Sequence, residues 1–258
     1  SELVKKNTWV IFGKIHPSTL ETVVSLTEKN GVLYVTTSDV NFFFRDAETR
    51  GTGIVKMRPM VQTGILKMIE RYKWNKILYV YDCMEALQRL RMLLRLTNTG
   101  YNNNKLTVDA RNIEKNTEDL KIKELLDYHS HSLIPKYIIL DIIEPKLLRS
   151  LLSQVIALKL ERADYHFFIV ECDFRQINDT HQFGGFNITA FAPVHYDNID
   201  ASMLKHLKNR TNILDEEVEI PYSYALFVDS LSFIFRCLNQ LSSSTAPFID
   251  TLKATIQN

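Results

Sequence analysis

Residues 56–82, KMRPMVQTGILKMIERYKWNKILYVYD, join two different hydrophobic periods without a break. Val61, Ile65, Met68, Ile69 and Tyr72 recur at i, i+4, i+7, i+8 and i+11. That spacing places them on one face of a helix, with Gln62, Lys67 and Arg71 on the other. Pro59 suits the first turn, where an amide N–H would have no intrahelical partner. Ile77–Tyr81 then runs apolar without polar alternation, as expected of a strand covered on both faces. Such strands belong to parallel sheets flanked by helices, so the stretch predicts half of a βαβ unit.

The same exchange of periods continues on either side. Trp9–Phe12 reads as a short strand ending at Gly13, and Val32–Val35 as the next. Between them, Ser18 and Glu21 stand at capping-box spacing, Leu20, Val23, Val24 and Thr27 form a helical stripe, and Asn30-Gly31 supplies a stop. Asn41–Gly53 reads as an irregular crossing segment. Met84–Leu96 is a helix with Leu87, Leu90 and Leu94 inward, followed by a loop at Thr97–Asn104. Leu106–Ala110, Tyr137–Leu140, Phe167–Val170 and Ile188–Phe191 are strands. Helices fall at Thr117–Tyr128 and from Pro145, where Leu148, Leu151, Leu152 and Val155 share a side. This alternation predicts a doubly wound parallel sheet with right-handed crossovers. Helical patterns resume at Met203–Lys208, Tyr222–Leu241 and Phe248–Ile256.

A chain of 258 residues fits two lobes better than one. Its formal net charge of +1 offers no electrostatic footprint for nucleic acid or an anionic membrane. Arg89, Arg91 and Arg95 read as a solvated helix face. The most apolar stretch, Tyr222–Leu238, carries Asp229 and Arg236 and is unsuited to spanning a bilayer. Cys83, Cys172 and Cys237 lack metal-type spacing and read as buried free thiols. No catalytic set, cofactor fingerprint or metal site is recognised, so the chain is read as non-enzymatic with no cofactor.

Several short runs carry a family resemblance. They are Trp9–Gly13, Met57-Arg58-Pro59, Ile69-Glu70, Tyr72, Trp74, Lys76 and Tyr79–Asp82, then Ile138–Asp141, Gln154–Ile156 and Tyr165–Phe168. Phe183-Gly184-Gly185, Asn187-Ile188-Thr189 and Tyr222–Leu226 with Asp229 complete the series, in order along most of the chain. In these the chain resembles the amino-terminal domain of an ionotropic glutamate receptor subunit, closest to the AMPA type. The resemblance implies a bilobed α/β clamshell of the periplasmic-binding-protein type 1 kind, with two doubly wound parallel-sheet lobes. Residues 1–54 and 192–258 would form one lobe and residues 55–191 the other. It also implies an extracellular, postsynaptic position within a receptor whose full-length parent spans the membrane. The implied work is subunit recognition in homo- or hetero-dimers and tetramers, with synaptic extracellular proteins as further partners. The family's disulfide would join positions near Ser1 and beyond the helix holding Cys237, neither of which is cysteine here.

Three groups of candidate site residues follow. Asn178, Asn187 and Asn209 open Asn-x-Ser/Thr sequons, and Asn187 stands where the resemblance places one. Leu20, Val23, Val24, Leu26 and Thr27 lie on the helix that the resemblance assigns to a two-fold dimer contact, with Leu26 off the main stripe. The other origin for this apolar character is packing on the helix's own sheet. Asp82, Asp141 and Glu171 each end an apolar strand, where ligands of open parallel sheets bind. They could meet an amino acid between the lobes, the alternative function for this chain. Asp82 with Glu85, and Asp141 with Glu144, also have capping-box spacing.

Overall fold

β1 (Val10–Phe12), β2 (Leu33–Thr36) and β3 (Ile54–Lys56) form a parallel sheet in that order. The computed structural model describes residues 8, 10–39, 53–97, 106–113, 136–157, 165–170, 183–191 and 222–242. Side chains leave a strand alternately, so each strand of this sheet feeds two cores. On one face Tyr34 and Ile54 meet Leu20, Val23 and Val24 of helix α1 (Leu20–Asn30). On the other, Leu33, Val35 and Val55 meet Cys237, Phe233 and Ile234 of helix α5 (Tyr222–Ser242).

The ends of α1 separate two sequence expectations. Its stop is as read: Gly31 adopts φ 61°, and the amides of Gly31 and Val32 return to the carbonyls of Glu28 and Thr27. This is the 5→2 and 6→1 pairing that a left-handed residue closes. The capping box does not form. Pro17–Thr19 is a 3-10 turn, and the cap position falls on Thr19, whose hydroxyl caps no helix amide but donates to the His16 carbonyl at 3.0 Å, while Ser18 Oγ lies 2.7 Å from His16 Nδ1.

β4 (Lys76–Tyr81), β5 (Thr107–Asn112), β6 (Tyr137–Asp141), β7 (His166–Ile169) and β8 (Asn187–Ala190) make the second sheet, parallel throughout in the order β5-β4-β6-β7-β8. Ile77, Tyr79, Ile139, Phe168 and Val170 face helices α2 (Val61–Arg71) and α3 (Met84–Leu96). Leu78, Val80, Ile138, Leu140, Phe167 and Ile169 face helix α4 (Pro145–Ala157). Helices on both faces explain the unbroken apolar strands, and the doubly wound α/β class is the one observed.

The chain divides into two compact units, Ser1–Met60 with Ile220–Asn258, and Val61–Glu219. The first crossing comes later than residue 54, because Val55 and Lys56 pair with Val35 and Thr36 of β2. β3 itself was missed in the sequence, being three residues long behind Gly53. Other corrections concern helix faces. Leu93, not Leu94, turns inward on α3, and Gln62 of α2 is buried whereas Tyr72 is 41% exposed. Residues 41–52, 98–105, 117–128, 203–208 and 248–256, read above as loops or helices, lie outside the described residues.

Candidate functional site

Strand order reverses direction between β4 and β6, so the carboxyl ends of these strands mark the topological switch point of the second unit. Two of the three acidic candidates stand there. Asp141, the last residue of β6, is wholly buried and is gripped from two elements. Arg89 of α3 donates from Nε to Oδ2 at 2.8 Å and from Nη2 to Oδ1 at 2.7 Å, while the Tyr79 hydroxyl of β4 donates to Oδ2 at 2.5 Å. Arg89 has no exposed surface either, so the pair is a fully desolvated bidentate ion pair. Burial, and next the Asp141 charge, raise the Tyr79 phenol well above its ordinary range and keep it a donor.

Asp82 does a different job. Its Oδ2 accepts from the amides of Ile143 and Glu144, both at 3.1 Å, tying the end of β4 to the entrance of α4. Neither acid caps its own following helix as the spacing suggested. The cap of α3 is Cys83, whose Sγ accepts from the Ala86 amide at 3.4 Å. Burial pushes that thiol up to about 12, so it is protonated near neutrality. Cys83 is only half-buried and Cys237 fully so, both as free thiols. Glu171 and Cys172 lie outside the described residues.

Arg89 is therefore the residue that sequence reasoning misplaced, in reading it as part of a solvated face. A signal was present: Ala86, Arg89, Leu90 and Leu93 follow the 3.6-residue period of the buried side of α3. The position required an inward side chain, and a cation so placed demanded an anion. Among the described residues, Asp82 Oδ1 at this junction and both amide atoms of Gln62 on α2 are buried without a hydrogen-bond partner.

On α1 the five dimer candidates part company. Leu20 and Thr27 are buried at 1% and 3%, and Val23 and Val24 pack against the core of their own unit. Leu20 and Thr27 are thus removed from any partner-facing surface. Leu26 is half-buried and belongs to neither described core cluster.

Among the sequons, Asn187 is the exposed first residue of β8, inside the strand rather than just before it. Thr189, two residues on and on the same face, lies with Oγ1 2.8 Å from His166 Nε2. Asn178 and Asn209 lie outside the described residues.

With this geometry in view, the family described as receptor family ligand binding region matches residues 1–257. The chain belongs to that family. A glutamate receptor from Lymnaea stagnalis is 30% identical over 185 residues, covering 70% of this chain and 19% of the relative. Glutamate receptor 3 of Rattus norvegicus and of Homo sapiens is 24% identical over 244 residues, covering 92% of this chain and 26% of each relative. The chain thus spans about a fifth to a quarter of the length of these relatives. As a receptor-family ligand-binding region it has the two parallel α/β sheets of the periplasmic-binding-protein type 1 fold.

Proposed function

We propose that this receptor-family region is the extracellular amino-terminal domain of an ionotropic glutamate receptor subunit, and that it works in subunit recognition and dimer assembly. The collinear match over residues 1–257 and the glutamate receptor relatives support the receptor assignment. The observation that carries the assembly role is Leu26, an apolar side chain on α1 left out of the described core clusters of its own unit. An apolar residue on a two-fold surface gains from burial by a second copy or a sister subunit. In this reading the pore and the agonist site belong to other parts of the parent receptor, and the domain faces the synaptic cleft, where it meets other subunits and extracellular proteins.

Leu26→Glu is expected to raise the dimer dissociation constant at least tenfold in sedimentation equilibrium and to leave the far-UV circular dichroism unchanged. An unaltered constant rejects the interface. Leu20→Glu, by contrast, is expected to unfold the unit, because that side chain is core.

A second reading, amino-acid binding at the carboxyl end of the second sheet, is favoured by the bonding capacity left on Asp82 Oδ1. It is weakened by Asp141, whose carboxylate already takes three donors from Arg89 and Tyr79. A saturable rise in melting temperature on titration with amino acids would support it, since a ligand that binds only the folded state stabilises by mass action.

A further inference from the structure

At the amino end of the second sheet stands a row of rings. Tyr72 and Trp74 stack with centroids 5.5 Å apart, and Trp74 and Tyr137 at 5.0 Å. The His166 ring meets Tyr72 and Trp74 edge-on at 4.8 and 5.0 Å. Trp74 is buried, whereas Tyr72 keeps two-fifths of its surface in solvent. Register extends the row by one position: His166 of β7 pairs with Asn187 of β8, so the two side chains leave the same face of the sheet side by side. Asn187 is exposed, and β8 is the edge strand of this sheet among the described residues.

We propose that an N-linked glycan on Asn187 lies with its first sugars against Tyr72 and the His166 edge, covering the margin of the second sheet. This rests on the reading of Asn187 as a used sequon. Attachment joins the Asn187 amide nitrogen to C1 of the first sugar of a pyrophosphate-linked lipid donor. It breaks the sugar–phosphate bond and releases the amide proton and the lipid pyrophosphate. The hydroxyl of Thr189, needed by the sequon, sits beside His166 in the fold. The apolar C–H face of a hexosamine ring complements the face of a tyrosine, and its burial there removes both surfaces from water. A covered edge strand is also protected from pairing with another chain.

The experiment uses the whole chain secreted from a eukaryotic cell line, as wild type, Tyr72→Phe, Tyr72→Ala, Asn187→Gln and the Tyr72→Ala/Asn187→Gln double variant. Peptide mapping is expected to find Asn187 occupied in every variant that retains it. From native protein, enzymatic release of that glycan is expected to be several-fold faster in Tyr72→Ala than in wild type or Tyr72→Phe, and equal in all after denaturation. Asn187→Gln is expected to lower the melting temperature in the wild-type background and to leave it unchanged in the Tyr72→Ala background. In unmutated protein carrying isotope-labelled sugar, ring-current-shifted resonances of the first N-acetylhexosamine are expected in the native state, which keeps the test sound if Tyr72→Ala fails to fold. Equal native release rates, a thermal cost independent of Tyr72, or sugar resonances at their unfolded positions would overturn the packing and leave the sequon reading standing. An unmodified Asn187 would overturn both.

Discussion

At the residue scale, the chemistry of the second unit turns on one buried ion pair. Removing either Arg89 or Asp141 leaves the other charge desolvated and alone, a loss on the order of 3–5 kcal/mol. Asp141→Ala is therefore expected to cut urea stability by that amount. The triple change Arg89→Met/Asp141→Leu/Tyr79→Phe, which removes both charges and the phenol hydroxyl together, is expected to cost far less. His166 gives a pH prediction. Its burial lowers the imidazole below the ordinary 6.5, so the unfolded chain takes up a proton more readily than the folded one. Stability from this group is present above about pH 6.5 and is lost as pH falls through the window down to the lower folded value. Urea midpoints at pH values on either side of that window should show the decline, and His166→Gln should flatten it.

At the element scale, β3 depends on a close approach that only glycine permits. A Cβ at Gly53 would lie 2.7 Å from the backbone oxygen of Val32, while the Gly53 carbonyl accepts from the Tyr34 amide at 2.6 Å. Backbone cannot swing aside as a side chain can, so Gly53→Ala is expected to lose about 1–3 kcal/mol in chemical denaturation. At Gly64 on α2 the obstacle is a side chain, the Phe191 ring at 2.7 Å. Gly64→Ala gains about 1 kcal/mol of helix propensity against that clash. Its net effect is expected to turn favourable when combined with Phe191→Leu. Neither constraint was visible in the sequence, where Gly53 closed an apparently irregular segment and Gly64 fell between two positions of the helical stripe.

At the scale of the whole molecule, the units differ in how their cores are supplied. Both faces of the second sheet are filled from within one continuous stretch of chain, by α2, α3 and α4. The first sheet has Leu33, Val35 and Val55 covered by Cys237, Phe233 and Ile234, about two hundred residues further on. Residues 61–219 alone are expected to unfold cooperatively in urea, as followed by far-UV circular dichroism. Residues 1–60 alone are expected to show no cooperative transition, because one face of their sheet would stay open to water.

Local order is what this sequence determined by itself. Apolar runs at Ile77–Tyr81 and Tyr137–Leu140, amphipathic stripes on α2 and α4, and Asn30-Gly31 as a stop all act through neighbours within a few residues, and period alone reveals them. So did the parallel, doubly wound class, since strands without polar alternation have to be covered twice. Which partner each polar group found was settled only by tertiary structure. Arg89 and Asp141 are 52 residues apart, as Asp82 and Ile143 are 61 apart. Their pairing is fixed by a strand order that brings β4 beside β6, and burial at that junction decides whether a carboxylate caps a helix, meets a ligand or neutralises a cation. The same holds for Leu20 and Leu26: helical spacing put both on α1, and only the sheet beneath chose which would be core.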